Sequence, residues 1–559
     1  MKTEYADVAV IGAGLGGLSA AAYLAKAGQR VIVLEHHAVP GGYAHEFRRG
    51  KYRIEVSLHA LDGVDPGGWT RTIFEDLEVF GQVDFKRLDP FYIAAFPRHE
   101  IVGHLDPDQF ERELRNQFPH EADGLGRMVA DMKLVFRQGQ YLIDAKLAGL
   151  EVSDSLERIP KFVEACRITW SAYMDRFVSD SELKGALSVL WCYLGVPPSI
   201  MTAAAYISLW GSYHITGAYY PVGGSMAMSR ALEKTIRRYG GSVIYRQTAR
   251  NIEIRDGRAV AVETEQGLRV EAKAFVSNAS PEATLLGMVG ESHLPASYVR
   301  SFSGGQPSLG HVTVSLALDR DIAKPGDGAG WPHHEALLRE TYDADAGFRY
   351  AESADWERTP LAVTCYSNID PSCAPPGGSV VTLFSLAPWD YADQWGTGGD
   401  LTNYRKNPKY IELKNDAANR LINRAERWIP GLRESIKYWD VSTPLTNRRY
   451  TLNNAGAIYG SFGACVLNSG HKTTPATPIP NLMMTGAWVS TGGMSAAMIS
   501  GAYASNQLMA LLAEAGPVSM TPEQAQQVRN VPTPDFELSS FSDDDLAALL
   551  ASELSGAQR

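Results

Sequence analysis

The chain predicts an α/β architecture, in which a doubly wound parallel-sheet domain is interleaved with an α+β domain of helices over a mixed or antiparallel sheet. Three observations carry this. The first forty residues read as strand, glycine turn, helix and strand. Strand and helix patterns of the same kind return near 219–300 and 473–515. Between them lie a mainly helical stretch and a stretch of alternating apolar and polar residues. With 559 residues the chain exceeds one simple core and suffices for two interwoven domains.

Asp7-Val8-Ala9-Val10-Ile11 is a β-branched run suited to a buried parallel strand. It passes into Gly12-Ala13-Gly14-Leu15-Gly16-Gly17, which contains the spacing G-x-G-x-x-G. Gly12 makes the tight turn, Gly14 lets backbone approach a pyrophosphate, and Gly17 lets the helix pack closely on the strand. The helix from Leu18 to Ala27 aims its N-terminal amides and positive dipole end at phosphates. Gly28 ends it, Val31-Ile32-Val33-Leu34 is the second strand, and Glu35 stands where an acid takes ribose hydroxyls. A glycine turn alone is compatible with a purely structural role. The whole ordered set points to a Rossmann-type dinucleotide site.

Pro40-Gly41-Gly42 follows, and then Tyr52-Arg53-Ile54-Glu55-Val56-Ser57-Leu58-His59. Here the chain resembles the FAD-dependent family of phytoene desaturases, carotenoid isomerases and retinol saturases, within the wider amine-oxidase-like flavoproteins. Tyr220-Pro221-Val222-Gly223-Gly224-Ser225 resembles the family's segment that returns the chain to the flavin domain. Thr443-Pro444-Leu445-Thr446-Asn447 looks closer to the saturase form of a segment shared by isomerases and saturases. The resemblance runs from Asp7 to about Ala513, with specific motifs at both ends and only pattern in the middle.

The resemblance implies FAD, held at the N-terminal end by Gly12, Gly14, Leu15, Gly16, Gly17, Glu35, His36, Gly41, Gly42 and Tyr43. It places Thr248 and Ala249 at the adenine and Asn278 at the end of the returning strand. Gly486, Ala487, Gly493, Met494 and Ser495 stand at the strand end and helix start expected beside the flavin ring. The chain departs from the family at Glu55 and Ser57, where an Asp and a Gly are usual, and at Ala487, where an acid is common.

The implied division is 1–68, 219–300 and 473–515 for the flavin domain, with 69–218 helical and 301–472 the substrate sheet. The acidic tail 516–559 is peripheral. In the helical part, Ala186 to Tyr220 is rich in Trp, Tyr and Leu. It reads equally as ordinary core or as the wall of a long apolar tunnel, with the resemblance favouring the tunnel. The helix from about Pro408 to Trp428 is expected to cover the sheet.

The net charge of −11 and the absence of a basic cluster exclude a nucleic-acid surface. Apolar loops on an acidic protein still leave peripheral membrane contact open. Five scattered cysteines without C-x-x-C suit a reducing compartment, and no metal site is expected. The polar opening residues lead straight into the first strand, which points to a cytoplasmic protein. The uncharged stretch Thr473–Ala513 is too broken by Pro and Gly for a spanning helix and reads as strand, turn and helix. Oligomeric state is not legible.

No triad, metal cluster or carboxylate pair is forced together by the sequence. The resemblance implies that the flavin carries the redox chemistry and the protein supplies an apolar slot. Desaturation, saturation and cis–trans isomerisation of a polyene or isoprenoid remain open, as does NAD(P)H as an external reductant. Glu55, His59 and Tyr459 are candidate proton handlers, and Arg448 with Arg449 could stabilise an anionic ring. A flavin amine oxidase and a non-catalytic lipid carrier, as in the Rab GDP-dissociation inhibitors, share the fold and stand as alternatives.

Overall fold

The computed structural model describes residues 2–147, 153–302, 306–323, 331–389, 393–469 and 474–512. The tail from 516 and the residues joining some loops lie outside these ranges. Two seven-stranded sheets organise the molecule.

The first sheet is built on the strand Lys2–Ile11, whose last four residues are buried on both sides. It pairs in parallel with Val31–Glu35 on one flank and Leu268–Ser277 on the other. Ser242–Tyr245 extends one edge, and Leu482–Met484 pairs in parallel with the end of the returning strand. The hairpin Ala249–Arg255 and Arg258–Thr264, turning through Asp256 and Gly257, completes it. The helices Leu15–Lys26, Ser225–Arg238 and Met494–Leu512 pack together on this sheet. The first helix starts at Leu15 rather than Leu18, because the glycine turn delivers the chain into helix directly after Gly14.

The second sheet runs in the order Ile436–Ser442, Gly310–Leu318, Ser379–Ala387, Leu361–Cys365, Glu335–Leu338, Tyr92–Ala95 and Glu100–Gly103. Its pairings are antiparallel except that between Glu335–Leu338 and Tyr92–Ala95. The mainly helical span 69–218 also supplies two strands to this sheet. The short apolar runs Tyr92-Ile93-Ala94-Ala95 and Ile101-Val102 form a hairpin that finds its partner in Glu335–Leu338.

Both faces of the second sheet are covered, so its period-two pattern sorts two interiors rather than inside from outside. Val312, Val314, Leu316, Val381 and Leu383 point to the helix Pro408–Glu426 and pack on Ala417, Leu421 and Ile422. His311, Thr313, Ser315, Thr382 and Phe384 occupy the other face and are buried as well. A largely polar face shielded from water marks where a site is built. No helix among the described residues is long and apolar enough to cross a membrane. The stretch 474–512 forms the strand and helix expected of it.

Candidate functional site

The turn after Ile11 brings together four backbone segments with almost no side-chain volume between them. Gly12 takes φ +89°, and Gly14 precedes a helix whose first turn has no side-chain cap. The uncapped N–H groups at that end form a ready anion site. A Cβ on Gly14 would lie 2.5 Å from Asn278 Nδ2, and one on Gly16 would lie 2.8 Å from the Gly486 nitrogen. A Cβ on Gly17 would meet the Gly12 carbonyl oxygen at 2.1 Å, so helix and turn touch through bare backbone. Gly41, at φ +113°, donates its N–H to the Ala13 carbonyl at 2.7 Å and brings the Gly-Gly turn beside Gly14.

Glu35 is buried at the end of its strand. Its carboxylate accepts from the Ala13 and His37 amides, each at 2.6 Å, while burial pushes its pKa up. His36 Nδ1 lies 2.8 Å from Thr248 Oγ1, which ties the acid's neighbour to the expected adenine clamp. Asn278 closes the cradle and leaves its Oδ1 without a protein partner. The helix from Met494 opens at Gly492 and Gly493, both at positive φ, and lies against the first helix so closely that a Cβ on Gly501 would sit 2.4 Å from the Gly16 oxygen.

One cavity of about 1040 Å³ starts in this cradle. All the residues expected to hold the cofactor line it except Gly17, whose part is the close packing just described. The bare backbone, the buried acid, the unpartnered amide and the two helix starts fit an extended dinucleotide.

The same cavity continues past Tyr43 and His59 onto the buried face of the second sheet. There the structure assembles groups that lie far apart in the chain. Glu335 accepts a hydrogen bond from the Tyr193 hydroxyl at 2.8 Å, and its other oxygen has no hydrogen-bond partner. That oxygen stands 3.8 Å from His59 Nδ1, which lies 2.6 Å from Thr364 Oγ1. His59 and His311 both set their ring edges against Phe384, with centroids 5.1 Å apart in each case. Burial pushes the Glu335 carboxyl up to about 8, so it keeps its proton at neutral pH. Burial pushes His59 down to about 3, helped by the neighbouring His334 and His311, so this ring stays neutral. An acid that retains its proton beside a neutral imidazole can protonate a weak base placed against it.

Much of the remaining wall is apolar. Leu194, Ala204, Ala205 and Leu209 line it from the aromatic stretch, joined by Phe136 and Phe162. Trp191, Tyr206 and Trp210 from the same stretch are buried away from solvent and back this wall with core. No group of three or more metal-ligating side chains is present among the described residues.

Two candidates move elsewhere. Glu55 does not line the cavity. Its carboxylate receives the Ser225 amide at 2.7 Å and the Ser225 hydroxyl at 2.6 Å, capping the helix Ser225–Arg238 where the positive dipole end favours an anion. Replacing Glu55 by Ala leaves that buried amide unsatisfied and is expected to cost about 1–3 kcal/mol of stability, read by urea unfolding, with flavin still bound. Arg448 is exposed, since the helix Pro444–Thr451 turns it to solvent while Tyr450, Thr451, Leu452 and Asn453 reach the cavity. His59 and Tyr459 do line the cavity, and burial pushes the Tyr459 phenol up. Sequence reading missed Glu335 and His311, and it placed Tyr193 in the tunnel-wall stretch without its bond to an acid. The only trace of Glu335 is a lone carboxylate opening the apolar strand Glu335–Leu338.

The chain matches the family described as flavin containing amine oxidoreductase over residues 15–509. An all-trans-retinol 13,14-reductase of Macaca fascicularis is 26% identical over 520 residues, covering 89% of this chain and 84% of its own. A chloroplastic prolycopene isomerase of Arabidopsis thaliana is 26% identical over 483 residues, covering 81% and 74%. Among solved structures, an oxidoreductase from Methanosarcina mazei aligns with a TM-score of 0.57 at 18% identity, covering 90% of this chain and 99% of its own. A putrescine oxidase bound to putrescine aligns at 0.58 and 14%, covering 91% and 100%. These two share the fold.

Proposed function

This chain belongs to the flavin containing amine oxidoreductase family, and on that premise we propose that it acts on carbon–carbon bonds of a long apolar polyene or isoprenoid, in the reducing direction. It is an FAD-dependent oxidoreductase. FAD, when bound, would supply the redox chemistry, giving a hydride to a carbon–carbon double bond in its reduced form or taking one from a saturated bond in its oxidised form. The observation that supports the reading is the continuous cavity, which leads from the dinucleotide cradle to a protonated Glu335 and on into an apolar tunnel.

Reducing an alkene requires a hydride, which the reduced cofactor would supply, and a proton, which Glu335 holds at neutral pH. Tyr193 orients the carboxyl through the 2.8 Å hydrogen bond, and neutral His59 adds no charge that would ionise it. Phe384, Leu386 and Ala362 exclude water from the space in front of it. The relatives named as a retinol reductase and a prolycopene isomerase act on substrates of this class.

The test is anaerobic. Protein reduced with dithionite is mixed with a retinoid-length or carotenoid-length polyene. Reappearance of the oxidised flavin spectrum with loss of one double bond is the expected result. Bleaching of the oxidised enzyme by putrescine, with no response to polyene, would overturn it in favour of an amine oxidase. A polyene that changes only its cis–trans geometry would assign isomerisation instead.

A further inference from the structure

Arg339 lies four residues beyond Glu335 on the same face of its strand, roughly 13 Å away at the rise of an extended chain. Its amide donates to the Ala95 carbonyl at 2.8 Å, so the extended pairing continues to this point. The side chain lines the cavity and is 8% exposed. Its guanidinium donates to the carbonyls of Leu338 and Val189 at 3.1 and 2.9 Å and lies 3.6 Å from Cys192 Sγ, while its Nε–H finds no acceptor.

No carboxylate among the described residues forms an ion pair with it. Arg424, the other deeply buried arginine, has Glu340 at 3.3 Å. A guanidinium is permanently charged, and burying it without a counter-ion is costly. Two carbonyl dipoles offset part of that cost and leave the charge itself unmatched. The nearest acid on its own strand face, Glu335, feels the Arg339 charge, yet burial outweighs that pull and holds its carboxyl at about 8, so at neutral pH it is mainly protonated and is not a full counter-ion.

We propose that Arg339 receives an acidic head group of the substrate, so that the preferred ligand is an apolar polyene carrying a terminal carboxylate. Resting on the reading above, this places the carboxylate at Arg339 and the chain along Leu337 toward Glu335 and His59. The strand then acts as a ruler that selects which double bond meets the acid.

The test is equilibrium binding of all-trans-retinoate and all-trans-retinol to the FAD-loaded protein, whose polyene chains match and whose head groups differ. Retinoate is expected to bind at least tenfold more tightly than retinol. Arg339→Gln should weaken retinoate by about 10- to 100-fold, the range of a charge-assisted hydrogen bond, and leave retinol within about threefold. Arg339→Lys should fall between, because it keeps the charge and loses the fork. Equal affinities for the two ligands in the unaltered protein would overturn the assignment while leaving the polyene reading intact. An Arg339→Gln variant that loses both ligands equally would also overturn it. Failure of the unaltered protein to bind either ligand would overturn the polyene reading itself.

Discussion

Replacing Glu335 by Gln is expected to slow polyene-dependent reoxidation of the reduced enzyme by about 100-fold or more, the usual contribution of a positioned general acid. Gln keeps the shape of the side chain and can still accept from Tyr193, so FAD content should not change. What it loses is the acidic proton. The pH dependence gives the independent check. In the unaltered enzyme the step holds level below the Glu335 pKa of about 8 and falls as the pH rises through it. The Gln variant lacks this inflection.

The same shift has a stability consequence with a definite sign. Glu335 titrates near 4.5 when exposed and near 8 when folded. The folded state therefore binds the extra proton between these values, and the stabilisation is fully present below about 4.5 and lost as the pH rises through 8. Unfolding midpoints of the two proteins, compared across that window, should show the unaltered protein losing ground to the Gln variant as pH rises. A parallel pair of curves would remove Glu335 from the role given to it.

Gly17→Ala is expected to abolish FAD binding. The added Cβ would sit 2.1 Å from the Gly12 carbonyl oxygen, and neither partner can yield, since both are backbone. The helix must lift from the turn, which carries the phosphate-facing amides away from Gly14 and Gly41. The purified variant should be colourless and stay so after added FAD. Gly28→Ala is the control. Gly28 also sits at positive φ (+86°), but a Cβ there meets nothing within 4 Å. That variant should lose about 1–2 kcal/mol from left-handed strain and retain its flavin. Should Gly17→Ala retain full flavin content, the packing argument for this glycine fails.

The two results draw on different kinds of information in the chain. The cradle was legible because its demands are local. A strand that must stop, a backbone that must approach phosphate and a helix that must lie close are met by residues within a few positions of one another. The spacing of Gly12 to Gly17, Glu35 and Gly41-Gly42 therefore points to one site, and these residues line one cavity wall or pack against it. The same holds for the strand at Leu482–Met484 and the helix that follows.

The chemistry of the substrate end was not legible. Glu55 and Arg448 carry the right functional groups, yet one caps a helix and the other faces solvent. Charge and residue type identify a candidate, but helix phase and loop path decide where it points. Alternation in Gly310–Leu318 showed a strand with one apolar and one mostly polar face, and the polar face of a strand is ordinarily wet. Here both faces are buried. Only the packing of the helical region over the sheet turned His311 and Glu335 into a cavity wall, with Thr364 buried behind His59.

What the sequence by itself determined is therefore the fold class and, through its resemblance to flavoproteins, the cofactor. Tertiary structure alone decided which acid holds a proton in the cavity and which buried cation has no carboxylate ion-paired with it among the described residues. Tyr193 reaches Glu335 across 142 residues, and Arg339 meets the Val189 carbonyl across 150. Such meetings depend on the register of strands and the docking of helices drawn from distant parts of the chain. The free energy that fixes them is burial shared over the whole core, which no short run of residues records.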